Sequence, residues 1–237
     1  FKDIQPMVFN SFYPINIASF DILKDALEKL RLNDASFIFE PDSSILLGYG
    51  FRCGFLGLLH SEIIQERLER EFNVGIIATA PSVVYQVFKT NGDIITVDNP
   101  MHFPNQAEIA SIDEPFIKAF VICPNDSIGA LMQLAQDRRG ACTRTETLDK
   151  NRVILTFELP LNEVIIDFHD MIKSITKGYG SMDYEYIGYR PSDIVKLDIL
   201  LNGEPVDAFS FLVHRLRAEA AGRKIALKLK MLIPRHL

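Results

Sequence analysis

The sequence predicts an α+β protein made of two ferredoxin-like sandwich units, each with the order βαββαβ, followed by the start of a small α/β domain. Two observations predict this fold class. Apolar residues at strand spacing and at helix spacing alternate in the same order twice along the 237 residues. A polar segment that contains Pro100 and Pro104 separates the two repeats. The repeated order is that of the split βαβ, or ferredoxin-like, fold.

The first unit is predicted over residues 1–88. Its first helix shows the clearest signal, because Leu23, Leu27 and Leu30 recur at helical spacing after the capping residue Ser19. Its elements in order are a strand at 7–17, that helix, a hairpin of 36–40 and 45–51 turning across 41–44, a helix at about 58–72 and a strand over 74–88.

The second unit is predicted over residues 113–190, after a linker at 89–112 with a hairpin turn at "TNGD". The unit repeats the order of the first one. Its elements are a strand at 114–124, a helix capped within 125–127 and stopped by Gly140, a hairpin over 142–160 turning at 149–151, a helix capped by Asn162 and ended by Lys177 and Gly178, and a strand at 181–190.

The last part, residues 191–237, is predicted to begin a third domain. It reads as a hairpin over 195–214, turning at Asn202 and Gly203, and a helix at about 216–232. The helix has an apolar stripe, which consists of Ala218, Ile225, Leu229 and Leu232. This part is too short for a complete domain, and we interpret the sequence as a piece of a longer protein.

Charge is distributed unevenly along the chain. The net charge of −6 argues against a protein that coats nucleic acid over its whole surface. Residues 215–235, however, include seven basic residues and one acidic residue. We therefore expect an anionic partner for the last helix. Its candidate contact residues are Arg217, Arg223, Lys224, Lys228 and Lys230.

The stretch "GYGFRCGFLGLLH" over 48–60 is rich in glycine but lacks a nucleotide-binding pattern, because it has neither the third glycine of G-x-G-x-x-G nor a G-K-[ST] end. Two interpretations stay open. Cys53 and His60 could form a thiol nucleophile and its base. Alternatively, Gly54 and Gly57 shape the turn from a strand to a helix, with His60 in the first helical turn.

Few other residues suggest chemistry. The histidines are scattered, so no metal site is expected, and the three cysteines form no C-x-x-C pair, which fits a reducing compartment. Arg138 and Arg139 end the first helix of the second unit. They either complement the helix dipole or hold phosphates, and the sequence leaves both open.

Several long motifs resemble one protein family. The motifs are "CGFLGLLHSEIIQERLEREFNVGIIATAPSVVYQV", "RLNDASFIFEP", "YGSMDYEYIGYRPSDIVKLDILLNGEPVDAFSFLVHR" and "LIPRHL". They are similar to translational GTPases of the elongation factor G type, and specifically to the LepA family. The resemblance covers essentially the whole chain. It implies the family's domain III over about 6–88, its domain V over about 113–190 and the start of its C-terminal domain over 191–237.

The resemblance also implies a function. We expect a noncatalytic, ribosome-binding part of a ribosome-dependent GTPase that acts on tRNA position, with GTP and Mg²⁺ bound by a GTPase domain that precedes Phe1. The chain itself is expected to hold no cofactor. Implied partners are ribosomal RNA and proteins, tRNA and that GTPase domain, but not DNA. The implied location is the cytoplasm, with peripheral association with the inner membrane.

Residue roles follow from the same resemblance. Arg138, Arg139 and Lys177 are expected to face ribosomal RNA, as are the cations of the last helix. Gly54, Gly57 and His60 form a turn that is expected to face the GTPase domain. Two other functions remain as alternatives: a regulatory ligand-binding module of paired ferredoxin-like domains, and a thiol enzyme that uses Cys53 and His60.

Overall fold

The computed structural model describes residues 6–232. Within them the chain divides into two compact units. The first comprises the described residues up to Ser82, Val87–Ile112 and the described residues from Ser192 onward. The second comprises Val83–Gln86 and Asp113–Pro191. Residues 89–112, predicted as a linker, and the C-terminal part thus belong to the first unit.

The first unit contains the predicted βαββαβ sandwich. Its strand order is β2-β3-β1-β4, and all neighbours are antiparallel. This is the strand order of the ferredoxin-like fold, so the predicted fold class is confirmed here. The elements are β1 (Val8–Pro14), α1 (Phe20–Asn33), β2 (Ile38–Ser44), β3 (Gly48–Phe55), α2 (Leu58–Phe72) and β4 (Ile76–Ala78).

The core of this sandwich lies between the two helices and the sheet. α1 buries the predicted leucine row, and α2 buries Ile64 and Leu68. They pack on the aromatic side chains of Phe12, Phe51 and Phe55 in the strands and of Phe37, which directly precedes β2. The ring of Phe55 stacks on that of Phe37 with centroids 6.1 Å apart. Aromatic side chains therefore supply much of the buried apolar area.

Three predictions in this unit were wrong. The single strand predicted over 74–88 is divided into three short strands, Ile76–Ala78, Ser82–Val83 and Tyr85–Lys89. β1 ends at Pro14 and not at residue 17, because a 3₁₀ turn follows in which Asn16 Oδ1 accepts from the amide of Ala18. The hairpin turns at residues 45–47 and not at 41–44. There the hydroxyl of Ser44 accepts from the amides of Leu46 and Leu47, which stabilises the turn.

Residues 82–108 add short elements. They are β5 (Ser82–Val83), β6 (Tyr85–Lys89), β7 (Ile94–Val97) and the 3₁₀ turns Pro100–His102 and Gln106–Glu108. β5 pairs with β1, and β6 pairs with β7. The predicted "TNGD" turn joins β6 and β7, with Gly92 at φ +92° in the left-handed region.

The second unit is also a ferredoxin-like sandwich. The order of its four strands is β9-β10-β8-β11, again antiparallel throughout. The second helix begins at Phe168 and not at residue 163, because Asp167 at φ +55° lies outside the helical region. The elements are β8 (Ile109–Pro124), α3 (Ile128–Asp137), β9 (Ala141–Thr147), β10 (Arg152–Pro160), α4 (Phe168–Ile175) and β11 (Ser181–Pro191).

The C-terminal part contains two small sheets and a helix. The predicted hairpin is in fact two nested pairs, β12 with β15 and β13 with β14. The inner pair turns at Asn202 and Gly203, as predicted, with φ of 52° and 86°. The elements are β12 (Ile194–Leu197), β13 (Leu200–Leu201), β14 (Glu204–Pro205), β15 (Phe211–His214) and α5 (Arg215–Leu232). None of the helices within residues 6–232 is long and apolar enough to cross a membrane.

Candidate nucleic-acid interface

Helix α5 carries most of the predicted contact residues. It follows β15 directly, and one side of it packs on the β12–β15 sheet. The approach is close at Gly222, where a Cβ atom would lie 3.2 Å from Cδ1 of Leu197. The half-buried residues on this side are Ala218, Ala221, Gly222, Ile225 and Leu229. The predicted apolar stripe is thus correct except at Leu232, which is 76% exposed.

The cations of α5 lie toward solvent. Lys224, Lys228 and Lys230 are exposed, and none of them forms an ion pair with a residue in the described part of the chain. Arg223 Nη2 lies 2.8 Å from Oε1 of Glu219, an exposed i,i+4 pair that contributes little to stability. Arg217 is half-buried and interacts within the chain. The lysines are therefore the groups of this helix most available to an anion.

Arg139 is held inside the second unit. Its Nη1 and Nη2 donate to the two carboxylate oxygens of Glu114 at 2.5 and 2.9 Å, and its Nε donates to Glu163 at 2.9 Å. Burial alone would lower the pKa of Arg139, but the hydrogen bonds and charges of the two glutamates raise it overall. The guanidinium therefore stays charged and joins the end of α3 to β8.

Arg138 is also paired within the unit. Its Nη2 lies 2.5 Å from Oδ1 of Asp167, its Nη1 donates to the carbonyl oxygen of Glu163, and its side chain is only 16% exposed. Lys177, by contrast, is exposed at the end of α4. The contact of all three residues with ribosomal RNA stays a prediction, and the geometry gives the two arginines a structural role.

The glycines of the predicted interdomain turn have separate roles. Gly54 was predicted to lie in the turn, but it lies inside β3, opposite Phe9. A Cβ atom there would lie 2.6 Å from Cε1 of Phe9 and 2.9 Å from Cγ1 of Ile38, so close packing explains the glycine. Gly57 precedes α2 with an extended backbone that any residue adopts. That this turn faces a GTPase domain stays a prediction.

His60 connects the two helices of the first unit. Its Nδ1 accepts from the amide of Leu56 at 3.3 Å, so Nε2 carries the proton and donates to Asp34 at 2.9 Å. The pKa of Asp34 is lowered, chiefly by a hydrogen bond from the Ser36 hydroxyl and further by His60. Both ring nitrogens of His60 are therefore occupied by structural hydrogen bonds.

Cys53 lies fully buried in β3. Burial raises the pKa of its thiol far above the ordinary value, and Sγ lies 3.7 Å from the carbonyl oxygen of Phe51. A nucleophilic cysteine needs the thiolate form and an available base. With His60 engaged by Asp34, this environment argues against the thiol-enzyme alternative.

Arg52 is a buried, hydrogen-bonded cation that was not among the residues predicted from the sequence. Its side chain is 6% exposed, and it donates to Asp98 at 3.0 Å, to Ser82 at 2.6 Å and to Ser11 at 3.3 Å. The sequence feature that could have indicated this role is a single arginine within an apolar strand. Arg52 borders a cavity of about 310 Å³, whose other lining residues are Glu40, Pro41, Asp42, Ser43, Tyr49, Asp98, Asn99 and His102.

Metal binding has no support in the part of the chain that the structure describes. Over residues 6–232, no three His, Cys, Asp or Glu side chains are grouped so that they could hold an ion.

Comparison with known proteins identifies the relatives of this chain. Residues 111–200 match the family model described as "Elongation factor G C-terminus". "Elongation factor 4" of Acetivibrio thermocellus is 59% identical over 236 residues, and that of Chlorobium limicola is 55% identical over 237 residues. Each alignment covers 100% of this chain and 39% of the relative, so the chain spans well under half the length of these proteins.

A crystal structure of a Thermus thermophilus protein is similar in fold. The alignment of the two structures has a TM-score of 0.52 and 16% sequence identity, and it covers 94% of this chain and 43% of the Thermus thermophilus chain. The matched model defines residues 111–200 as a domain of the elongation factor G C-terminal type, and the solved structure shows a similar fold. Within that class, the chain belongs to the elongation factor 4, or LepA, family.

Proposed function

We propose that this chain is a noncatalytic, ribosome-binding part of a translation elongation factor and that the exposed lysines of α5 contact RNA phosphates. One observation carries the proposal. α5 packs on its sheet with one side, while Lys224, Lys228 and Lys230 extend to solvent without an ion pair among the described residues. This arrangement lies in a chain whose net charge is −6. Unpaired cations on a packed helix suit a polyanion.

The physical basis of this contact is the release of counterions. Lysines that neutralise phosphates displace the cations condensed on RNA, so affinity falls as the salt concentration rises. Each phosphate contact contributes roughly one unit to the slope of log affinity against log salt. A packed helix holds its lysines at defined positions, which lowers the entropy cost of ordering them on binding.

The test reverses charge on α5. The double variant Lys224→Glu and Lys228→Glu is expected to bind 70S ribosomes and tRNA at least about tenfold more weakly, with a salt slope smaller by roughly two units. The control is Lys24→Glu with Lys150→Glu, because both lysines are exposed and lie outside α5. Titrations by fluorescence anisotropy at several salt concentrations measure both quantities. Equal affinity of the α5 variant and the wild type would contradict the proposal.

We further propose that GTP hydrolysis belongs to the full-length protein. In this proposal a GTPase domain outside the present chain binds GTP and Mg²⁺ in the cytoplasm, and the whole factor acts on tRNA position on the ribosome. The relatives named elongation factor 4 support this, because the chain covers only 39% of their length. We expect no ribosome-stimulated phosphate release from the 237-residue chain and clear release from the full-length protein. Turnover by the chain itself would overturn the noncatalytic assignment.

A further inference from the structure

The tip of the β2–β3 hairpin presents two apolar side chains to solvent. Ile45 is 95% exposed and Leu46 is 59% exposed. We infer that these two residues, called here the apolar tip, dock into an apolar cleft on a basic protein of the ribosome. This inference rests on the proposed ribosome binding, and it adds a protein contact to the RNA contact of α5.

The apolar tip is held in one conformation by its own hydrogen bonds. The hydroxyl of Ser44 accepts from the amides of Leu46 and Leu47 at 3.2 and 3.3 Å. The amide of Ile45 donates to Oδ2 of Asp207 at 3.0 Å. All three backbone amides of the turn are thus occupied, and binding costs little conformational entropy there.

Asp207 anchors the turn from a distant part of the sequence. Its Oδ1 accepts from the hydroxyl of Ser44 at 3.0 Å, so one carboxylate holds both the side chain of Ser44 and the backbone of the turn. Ser44 itself is 8% exposed. The residues that fix the turn are therefore covered, whereas the two apolar residues beside them are left outside. Exposed apolar side chains on a turn that is held by hydrogen bonds are typical of residues that anchor a protein interface.

The charge beside the apolar tip decides which partner fits. The cavity of about 310 Å³ borders both strands of the same hairpin, and its lining residues include three acids, Glu40, Asp42 and Asp98. Among the lining residues of this cavity, one is a lysine or arginine, namely Arg52, and its charge is already paired with Asp98. An acidic surface repels RNA phosphates and favours lysine and arginine side chains. A basic protein therefore fits this surface better than RNA does.

The first test removes the apolar tip without disturbing the fold. The double variant Ile45→Ser and Leu46→Ser is expected to bind 70S ribosomes at least about tenfold more weakly, with its salt slope unchanged. The matched control is Leu32→Ser, since Leu32 is 87% exposed on α1 and is expected to bind like the wild type. Circular dichroism and thermal melting establish that both variants are folded.

The second test identifies what the apolar tip touches. A photoreactive benzoylphenylalanine is placed at position 46 of the 237-residue chain, which is then irradiated on 70S ribosomes. A crosslink to a ribosomal protein supports the inference, whereas a crosslink to ribosomal RNA overturns it. Glu40→Lys should weaken ribosome binding if the facing surface is basic, and stronger binding would contradict that assignment.

The two proposals fail in different ways. If the tip variant binds ribosomes as tightly as the wild type, the docking inference is wrong and the α5 proposal stands. If the wild-type chain binds no ribosomes, the proposed function is wrong and the docking inference falls with it. If the tip variant loses affinity for protein-free ribosomal RNA as well, the tip contacts RNA and the protein partner is excluded.

Discussion

Arg139 and Glu114 form a bidentate ion pair in the interior of the second unit. The two N–O distances are 2.5 and 2.9 Å, and the side chain of Glu114 is 1% exposed. Glu163, 8% exposed, shares the same guanidinium. One guanidinium thus pairs with two buried carboxylates, so its loss is expected to be costly.

We predict that Arg139→Met destabilises the chain by about 3–5 kcal/mol, because it removes the cation that pairs with the buried carboxylates of Glu114 and Glu163. Urea unfolding followed by circular dichroism measures the loss. Arg152→Met is the control, since Arg152 pairs with Asp149 on the surface, with side chains 56% and 41% exposed, and should cost less than about 1 kcal/mol. Similar losses for the two variants would show that the buried pair is not critical.

A second prediction contrasts two glycines. Gly50→Ala should destabilise the first unit by about 1–3 kcal/mol, because the new Cβ would collide with the carbonyl oxygen of Phe12 and lie 2.5 Å from Cδ1 of Tyr13. Gly129→Ala should stabilise α3 by about 0.5–1 kcal/mol, because no atom lies within 4 Å of its new Cβ and alanine favours the helix. Thermal unfolding of both variants checks the opposite signs.

A third prediction concerns the thiols. Cys53 and Cys123 are buried and Cys142 is exposed, and burial raises the pKa of the first two. The native chain should therefore show one thiol that reacts quickly with an aromatic disulfide reagent, and all three should react after unfolding. Cys142→Ser should abolish the fast phase. A fast phase that persists in this variant would mean that a buried thiol is accessible.

The fourth prediction is a pH dependence at Asp34. Its folded pKa is below the ordinary 3.8, mainly because of the Ser36 hydrogen bond. The stabilisation is therefore complete above the unfolded pKa and is lost as the pH falls through the lower folded pKa. Asp34→Asn should cost stability at pH 7, and this cost should shrink toward pH 3. Denaturant titrations at both pH values test it, with Asp25→Asn in the preceding helix α1 as the control.

Much of the fold follows from local pattern. The leucine row of α1 and the repeated βαββαβ order each depend on residues close in sequence, so periodicity predicted them correctly. The boundaries at residue 14, at the 45–47 turn and at Phe168 were missed. In each case a side chain or a left-handed residue ends the element, and the apolar pattern continues across it.

The candidate sites divide in the same way. The basic character of the segment around Lys224 and Lys228 could be read from the sequence, since few acids lie near them. The pairing of Arg139 with Glu114 could not, because the two residues are 25 positions apart. Neither could the network of Arg52 with Asp98, which are 46 positions apart. Only the folded chain brings such partners together.

The sequence by itself determined the two ferredoxin-like sandwiches, the basic last helix and, through long motifs, the family. Tertiary structure decided which cations stay free for a partner. It turned Arg138 and Arg139 inward to carboxylates, buried Cys53 and engaged His60 with Asp34. The physical reason is that a charge or a thiol is available only where the fold leaves it solvated and unpaired, and that depends on residues far apart in the chain.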